Sequence, residues 1–284
     1  LFHFTFQINM NNQRQYQDYY VIKPGEISRD VFIIFNDNPG HSLAEVKFIH
    51  PFHVNQTDTG RRSIGVACTQ LSVPNTAMNI ASHLGNSSLY YGQTLVSMRD
   101  GYYENLNQIQ DEIMYQLTHN NHNGNVKFVC DHLGHVKYQG GASLKFPLKD
   151  NKGDGIPDHL GAKLGFSSYD PESVEVINGI EHMTVDIGEQ AYDCGDIFGP
   201  TSDCLVTCDE CIYTRETERV LIVHSLAAHA SRSQLHSFFP VRFRPLHDKP
   251  SVTELTLRLV DRVNRPLAFV SGTPSATIEL QLLI

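Results

Sequence analysis

The sequence predicts an all-β protein built as a sandwich or a barrel. Short runs rich in β-branched and aromatic residues recur along the chain, and most are bounded by Gly, Pro, Asn or Asp. Many short strands at close spacing are typical of sandwiches and barrels, and only two stretches carry a helical pattern. The predicted strands are DVFIIFND, AEVKFIHPFHV, SIGVACTQLSV, SLYYGQTLVSM, VKFVCDH, HVKYQGGASLKF, MTVDIG, RVLIVHSL, FFPVRFRP, ELTLRLVD and SATIELQLLI.

The opening stretch, LFHFTFQINM, is apolar in alternate positions. It has no basic lead-in and no small-residue cleavage site, so we interpret it as a strand rather than as a signal peptide. Because the sequence begins at Leu1, we expect the natural start to be missing or processed.

Two helices are predicted between the strands. Leu106, Ile109, Ile113 and Leu117 recur at steps of three and four residues, which gives one apolar helix face. The second helix is short and lies in IPDHLGAKLGF, where an aspartate complements the helix start and Gly165 ends the helix.

The end of the chain predicts two core strands. Leu257 and Leu259 share one face of the first of these strands, and Ile278, Leu280 and Leu282 share one face of the second. The last strand is therefore expected to be a core strand rather than a loose tail. The predicted core residues of the two strands and the first helix are Leu106, Ile109, Ile113, Leu257, Leu259, Ile278, Leu280 and Leu282.

The segment from about 168 to 215 has a weaker strand pattern and is rich in turn residues. We expect one domain over residues 1–284, with 168–215 as a long loop or insertion within it.

This expected loop contains a cluster of four cysteines, Cys194, Cys204, Cys208 and Cys211. Four thiolates can hold a zinc ion tetrahedrally, and the Cys208-x-x-Cys211 spacing suits such a site. Disulfides formed in an oxidising environment and free thiols are the alternatives. The cluster is thus a candidate zinc or disulfide site, and no other cofactor is predicted.

The sequence offers little evidence for an enzyme. The stretch DNKGDGIPDHLG has the acidic rhythm of a calcium loop, but Lys152 and Gly161 stand where such loops place ligands, which favours a polar turn. The chain lacks His-x-His, G-x-S-x-G, P-loop, G-x-G-x-x-G and His-Glu-x-x-His patterns. A β-sandwich without such a motif is expected to act through its surface.

The length and composition fit a globular protein. The chain has 284 residues, of which 40% are hydrophobic and 19% charged, so it can bury a sizeable core. No apolar run reaches the roughly 20 residues that span a bilayer, so no membrane-spanning segment is predicted. The net charge of -9 argues against wrapping nucleic acid through phosphate contacts. Direct nucleic-acid binding is therefore not expected.

The order of several features resembles the penton (minor capsid) proteins of polinton or Maverick elements, adintoviruses and virophages. Asp100-Gly101-Tyr102-Tyr103 opens the amphipathic helix, and the hairpin VKFVCDHLGHVKY and the short helix HLGAKLGF follow. The strand VLIVHSL and a closing strand pair around RVNRPLAF complete the order. The resemblance extends over roughly residues 60–284 and is strongest in 98–166 and 219–284.

The resemblance implies a single jelly roll with two short helices. It also implies pentamers at the five-fold vertices of an icosahedral capsid, where the neighbours are trimers of a double jelly-roll major capsid protein. The protein would then belong to the virion, be assembled inside the host cell and meet a host receptor. Two rivals remain, namely a β-sandwich surface module that binds a receptor or glycan and a metal-dependent enzyme of the cupin kind.

Overall fold

The computed structural model describes residues 28–38, 41–53, 63–74, 76–149, 155–156, 158–166, 173–211, 219–226, 234–238, 241–246 and 251–283. The strand predicted in LFHFTFQINM lies outside these residues. Within them, no helix is long and apolar enough to cross a membrane.

The all-β class is confirmed, because the described chain consists mainly of antiparallel strands and has two short α-helices. The strands are β1 Ser28–Ile34, β2 Asn36–Asn38, β3 His41–His53, β4 Ser63–Val73, β5 Ser88–Tyr91, β6 Thr94–Ser97, β7 Val126–Cys130, β8 His135–Gly140, β9 Leu144–Pro147, β10 Val174–Ile177, β11 Ile180–Val185, β12 Gln190–Cys194, β13 Asp203–Cys208, β14 Val220–Ser225, β15 Gln234–Ser237, β16 Arg244–Pro245, β17 Ser251–Val260 and β18 Ser275–Leu283. The helices are α1 Leu106–His119 and α2 Leu160–Lys163.

The chain divides into two compact units. The first combines Leu1–Thr76 with Ser202–Ile284, and the second is the continuous segment Ala77–Thr201. The second unit is therefore inserted into the first between β4 and β13. We call them the jelly-roll unit and the inserted unit.

The strand pairing of the jelly-roll unit follows one rule. Its eight main strands, in chain order, are β1, β3, β4, β13, β14, β15, β17 and β18. The first pairs with the eighth, the second with the seventh, the third with the sixth and the fourth with the fifth, always antiparallel. Such nested pairs form a folded ribbon that rolls into a two-sheet sandwich, which is a jelly roll.

Two further pairings join the nested pairs into sheets. Strand β18 pairs with β4, which gives the order β1-β18-β4-β15, with β16 also on β4. Strand β17 pairs with β13, which gives the order β14-β13-β17-β3-β2.

The last strand is central in its sheet. Strand β18 has β1 on one side and β4 on the other. Ile278 and Leu280 are fully buried, as are Leu257 and Leu259 on β17. Leu282 lies in β18 opposite Ile64, and its side chain is outside the described part of the structure.

The inserted unit has its own core. It contains α1, α2 and two antiparallel sheets, with the orders β10-β11-β9-β5-β6 and β12-β8-β7. Ile109, Ile113 and Leu117 of α1 are completely buried in this core, and Leu106 packs against it while partly exposed. The helix begins at Leu106 because the Asn105 side chain accepts a hydrogen bond from the Gln108 N–H at 3.1 Å.

The expected long loop at about 168–215 is mostly strand in its described part. Strands β10, β11 and β12 of the inserted unit and β13 of the jelly-roll unit lie there. The β10–β11 hairpin turns at Asn178 and Gly179, both with positive φ, as a tight two-residue turn requires. The inserted unit is thus 77–201. The segment 168–215, which the sequence predicted as a long loop or insertion, crosses the C-terminal boundary of this unit.

Candidate assembly surface and thiol pair

The free edges of the jelly-roll sheets are the first candidates for contacts with other chains. Among the strands that the structure describes, β1 lies at the edge of its sheet, and Phe32 on it is 48% exposed, whereas its neighbours Val31 and Ile33 are buried. An exposed phenylalanine on an edge strand combines unpaired backbone groups with an apolar side chain, which favours association.

The other sheet has a comparable edge at β14. Val223 is 56% exposed, whereas Leu221 is buried. The Val220 carbonyl accepts a hydrogen bond from Arg244 Nε at 3.4 Å, so one end of this edge is covered. Val223 lies beyond that covered end, and we call Phe32 and Val223 the edge residues.

An edge strand of the inserted unit is closed by α1. Strand β7 has β8 as its one neighbour within the described residues, but its Val126 N–H contacts Met114 Sδ at 3.1 Å, and its Phe128 N–H donates to Gln110 Oε1 at 3.0 Å. These helix side chains occupy positions that an added strand would need, so this edge is not a candidate for strand addition.

The Asp100-Gly101-Tyr102-Tyr103 motif has a structural role. The Asp100 carboxylate accepts hydrogen bonds from the Ser82 N–H at 2.7 Å and the Ser82 hydroxyl at 2.8 Å. Buried Asn79 accepts from the Tyr103 N–H and donates to the Tyr103 carbonyl, both at 2.8 Å. Burial raises the pKa of Tyr103 to about 12, so its hydroxyl stays protonated and donates to the Arg99 carbonyl. The motif fixes the chain entering α1.

The calcium-like rhythm of residues 150–161 does not lead to a described cation site. Asp150 and Asp154 lie outside the described residues, and Asp158 is buried beside an ammonium group. Lys163 Nζ is 3.5 Å from Asp158 Oδ2 and donates to the Phe198 carbonyl at 3.1 Å. Asp158 therefore serves as the partner of a buried lysine.

The four cysteines predicted as one site lie in different places. Cys194 is exposed on β12 in the inserted unit, and its thiol donates to the Leu133 carbonyl at 3.1 Å. Cys204 and Cys208 are buried on the same strand, four residues apart, which separates them by about 13 Å. Thiolates that share one zinc ion lie about 4 Å apart, so these four cannot form a single tetrahedral site.

Cys208 and Cys211 alone of the predicted set are brought together. The Cys211 N–H donates to the Cys208 carbonyl at 3.4 Å, both side chains are completely buried, and the Cys208 thiol donates to Glu210 Oε2 at 3.4 Å. The neighbouring Cys211 thiol, followed by burial, raises the pKa of Cys208. In the described part of the chain, no group of three or more His, Cys, Asp or Glu side chains is arranged to hold a metal ion.

Sequence reasoning missed the edge residues. Phe32 belongs to a predicted strand, but only the sheet order shows that this strand is an edge and that its phenylalanine points outward. All four residues of VFII are apolar, so the sequence shows no alternation that would reveal the exposed face.

The architecture defines the class as a jelly roll with a compact unit inserted between its third and fourth main strands. No protein-family model matches the sequence, and a search of curated proteins finds no match. The structure is similar to that of a mavirus penton protein, with a TM-score of 0.41 and 10% identity over 90% of this chain and 99% of that chain. It is also similar to a chain from the cryo-EM structure of the Sputnik virophage, with a TM-score of 0.36 and 10% identity over 90% and 98% of the two chains.

Proposed function

We propose that this chain is a structural capsid protein that forms the pentameric vertex of an icosahedral capsid. In that role it contacts a double jelly-roll major capsid protein, resides in the virion and is assembled inside the host cell. The nested strand pairing is the observation that carries the proposal, because it defines a jelly roll without reference to any other protein.

Jelly rolls occur in viral capsid proteins, lectins and cupins. The order of elements in 98–166 and 219–284 resembles the penton group, and this resemblance selects the first class.

A five-membered ring needs two different patches on each subunit. Contacts around a cyclic axis are heterologous, so one patch of a subunit meets the other patch of its neighbour. The edge residues supply one apolar group on each sheet, Phe32 on β1 and Val223 on β14. We propose that the β1 edge of one copy meets the β14 edge of the next.

Native mass spectrometry of the purified full chain tests the ring. We expect a species of five times the mass of one chain, and electron microscopy of the same sample should show five-fold rings. A chain that remains monomeric at all concentrations, alone and with the major capsid protein, contradicts the vertex assignment.

Phe32→Asp and Val223→Asp test the proposed interface. Each places a charge in an apolar contact, so each variant alone should lose the ring. The Phe32→Asp variant keeps an intact β14 edge, and the Val223→Asp variant keeps an intact β1 edge. When the two variants are mixed, these two edges can still meet, so the mixture should form heterodimers and nothing larger.

The matched control is Val176→Asp, because Val176 is 65% exposed on the β10–β11 hairpin of the inserted unit. It should leave the ring intact. Rings that survive both edge substitutions would place the interface elsewhere, and loss of folding, measured by circular dichroism, would disqualify a variant.

A surface module that binds a receptor or glycan is the second candidate. Tyr192 is 78% exposed on β12, and an exposed aromatic ring can stack on a sugar. A persistent monomer that binds a glycan and loses binding on Tyr192→Ala would support this candidate over the vertex protein.

A further inference from the structure

The turn after β13 places two thiols within the reach of a disulfide. The Cys211 N–H donates to the Cys208 carbonyl at 3.4 Å, which is the hydrogen bond of a four-residue turn. Such a turn holds its first and last Cα atoms within about 7 Å, and disulfides join residues whose Cα atoms are about 4.4–6.8 Å apart. The neighbouring Cys211 thiol is the first cause that raises the pKa of Cys208, so the two thiols are neighbours, and Cys208 Sγ donates to Glu210 Oε2 at 3.4 Å.

The surrounding contacts hold this turn against β17. The Asp209 N–H donates to the Thr256 carbonyl at 3.0 Å, and Glu210 Oε2 accepts from the Thr256 N–H at 2.8 Å. Arg258 pairs with the Asp209 carboxylate at 2.7 Å. The two intervening residues are therefore fixed to a neighbouring strand, and this keeps the thiols on the same side of the turn.

We propose that Cys208 and Cys211 form a redox pair, which closes to an intrachain disulfide when the protein meets a small-molecule disulfide oxidant. Both cysteines are free thiols in the structure. The inference applies whether the chain is a capsid vertex or a monomeric surface module.

The reaction balances with oxidised glutathione as the oxidant. One protein thiol loses its proton, attacks the glutathione disulfide and becomes a mixed disulfide, which releases one glutathione thiolate. The other protein thiol loses its proton and attacks the protein sulfur of the mixed disulfide, which releases the second glutathione thiolate. Two electrons pass from the protein to the oxidant, and the two protons convert the released thiolates to reduced glutathione.

Burial controls how fast the pair closes. Both thiols are completely buried, and the pKa of Cys208 is raised. Because a disulfide oxidant reaches a buried thiol only after the turn opens, the pair should react more slowly than an exposed thiol. Cys130 is exposed and provides the internal reference.

The test uses the full wild-type chain, prepared reduced and incubated with oxidised glutathione. Samples are alkylated over time and digested with chymotrypsin, which releases VTCDECIY by cleavage after Leu205 and Tyr213. We expect this peptide to lose two hydrogen atoms and to escape alkylation, while Cys130 gains glutathione earlier. A low concentration of denaturant should accelerate closure, because opening the turn exposes the thiols.

The Cys208→Ser variant is the matched control, since its peptide retains one thiol and cannot lose two hydrogen atoms. If VTCDECIY still carries two alkylated thiols after Cys130 has reacted completely, with and without denaturant, the proposal is wrong. Linkage of Cys208 to a different cysteine would also overturn it. So would one equivalent of zinc that is present in the purified chain and absent from Cys208→Ser.

Discussion

His159 lies just before α2 and caps its N-terminus with a neutral ring. Its Nδ1 accepts a hydrogen bond from the Ala162 N–H at 3.2 Å, which it can do only when that nitrogen carries no proton. Burial lowers the pKa of His159 to about 4, and the neighbouring Asp158 carboxylate opposes this shift. The ring thus caps a short helix in one protonation state only.

This cap makes stability depend on pH. In the unfolded chain His159 binds a proton below about pH 6.5, whereas in the folded chain it binds one only below about pH 4. The contribution is therefore complete above pH 6.5 and is lost as the pH falls to 4, by about 3 kcal/mol. Urea titrations at pH 7 and pH 4.5 should show this loss.

His159→Asn supplies the control for that titration. Asparagine accepts the same hydrogen bond and does not titrate, so the variant should lose less stability between the two pH values. An equal loss in both proteins would show that other groups govern the acid response.

Strand β18 is hydrogen-bonded to a neighbouring strand on each side. It pairs along its length with both β1 and β4, and Ala276, Ile278 and Leu280 fill the space between the sheets. Removing it would leave β1 without a partner among the described strands and β4 without a partner on one side, and it would expose the apolar faces that β18 covers.

Deletion of residues 275–284 should therefore prevent folding of the jelly-roll unit. We expect an insoluble product or one without a cooperative transition in circular dichroism. Glu279→Ala is the control, because Glu279 is only partly buried on the outer face of β18 and its loss should leave the chain folded. A soluble truncated chain with a cooperative melt would contradict the central position of β18.

The sequence predicted the helices and strands whose apolar residues recur with a regular period. The apolar positions of α1 and the alternation in β17 and β18 were visible, since each element buries one face only. Strand β13 was hidden in the expected loop, because Cys204 and Thr207 are buried on opposite faces and leave no alternation. The start of α2 was also displaced, since His159 caps it through its ring.

The whole molecule combines a discontinuous unit with a continuous one. The inserted unit holds its own core around α1, in which Ile113, Phe146 and Tyr138 have no exposed surface. A continuous segment with a closed core is able to fold alone.

Residues 77–201 expressed without the rest of the chain should fold cooperatively. Thermal melting by circular dichroism should show one transition, and Ile113→Asp should abolish it by placing an unpaired charge in the core. Val176→Asp should melt like the unaltered fragment because Val176 is exposed. A fragment without a transition would mean that the inserted unit depends on the jelly-roll unit.

Neither the division into two units nor the separation of the four cysteines could be predicted from the sequence. Both units are made of short strands with similar composition, so no linker marks the boundary near residue 77 or residue 201. Four cysteines that lie near one another in sequence suggested one site, but an extended strand carries Cys204 away from Cys208. Only the turn hydrogen bond of Cys211 shows which pair meets.

The pairing of β1 with β18 also sets an order of events during synthesis. Strand β1 cannot gain this partner until nearly the whole described chain has left the ribosome, a delay on the order of tens of seconds at usual elongation rates. The inserted unit is complete much earlier, because its residues are continuous. A nascent chain would therefore carry a finished inserted unit while its jelly-roll unit still lacks its last strand.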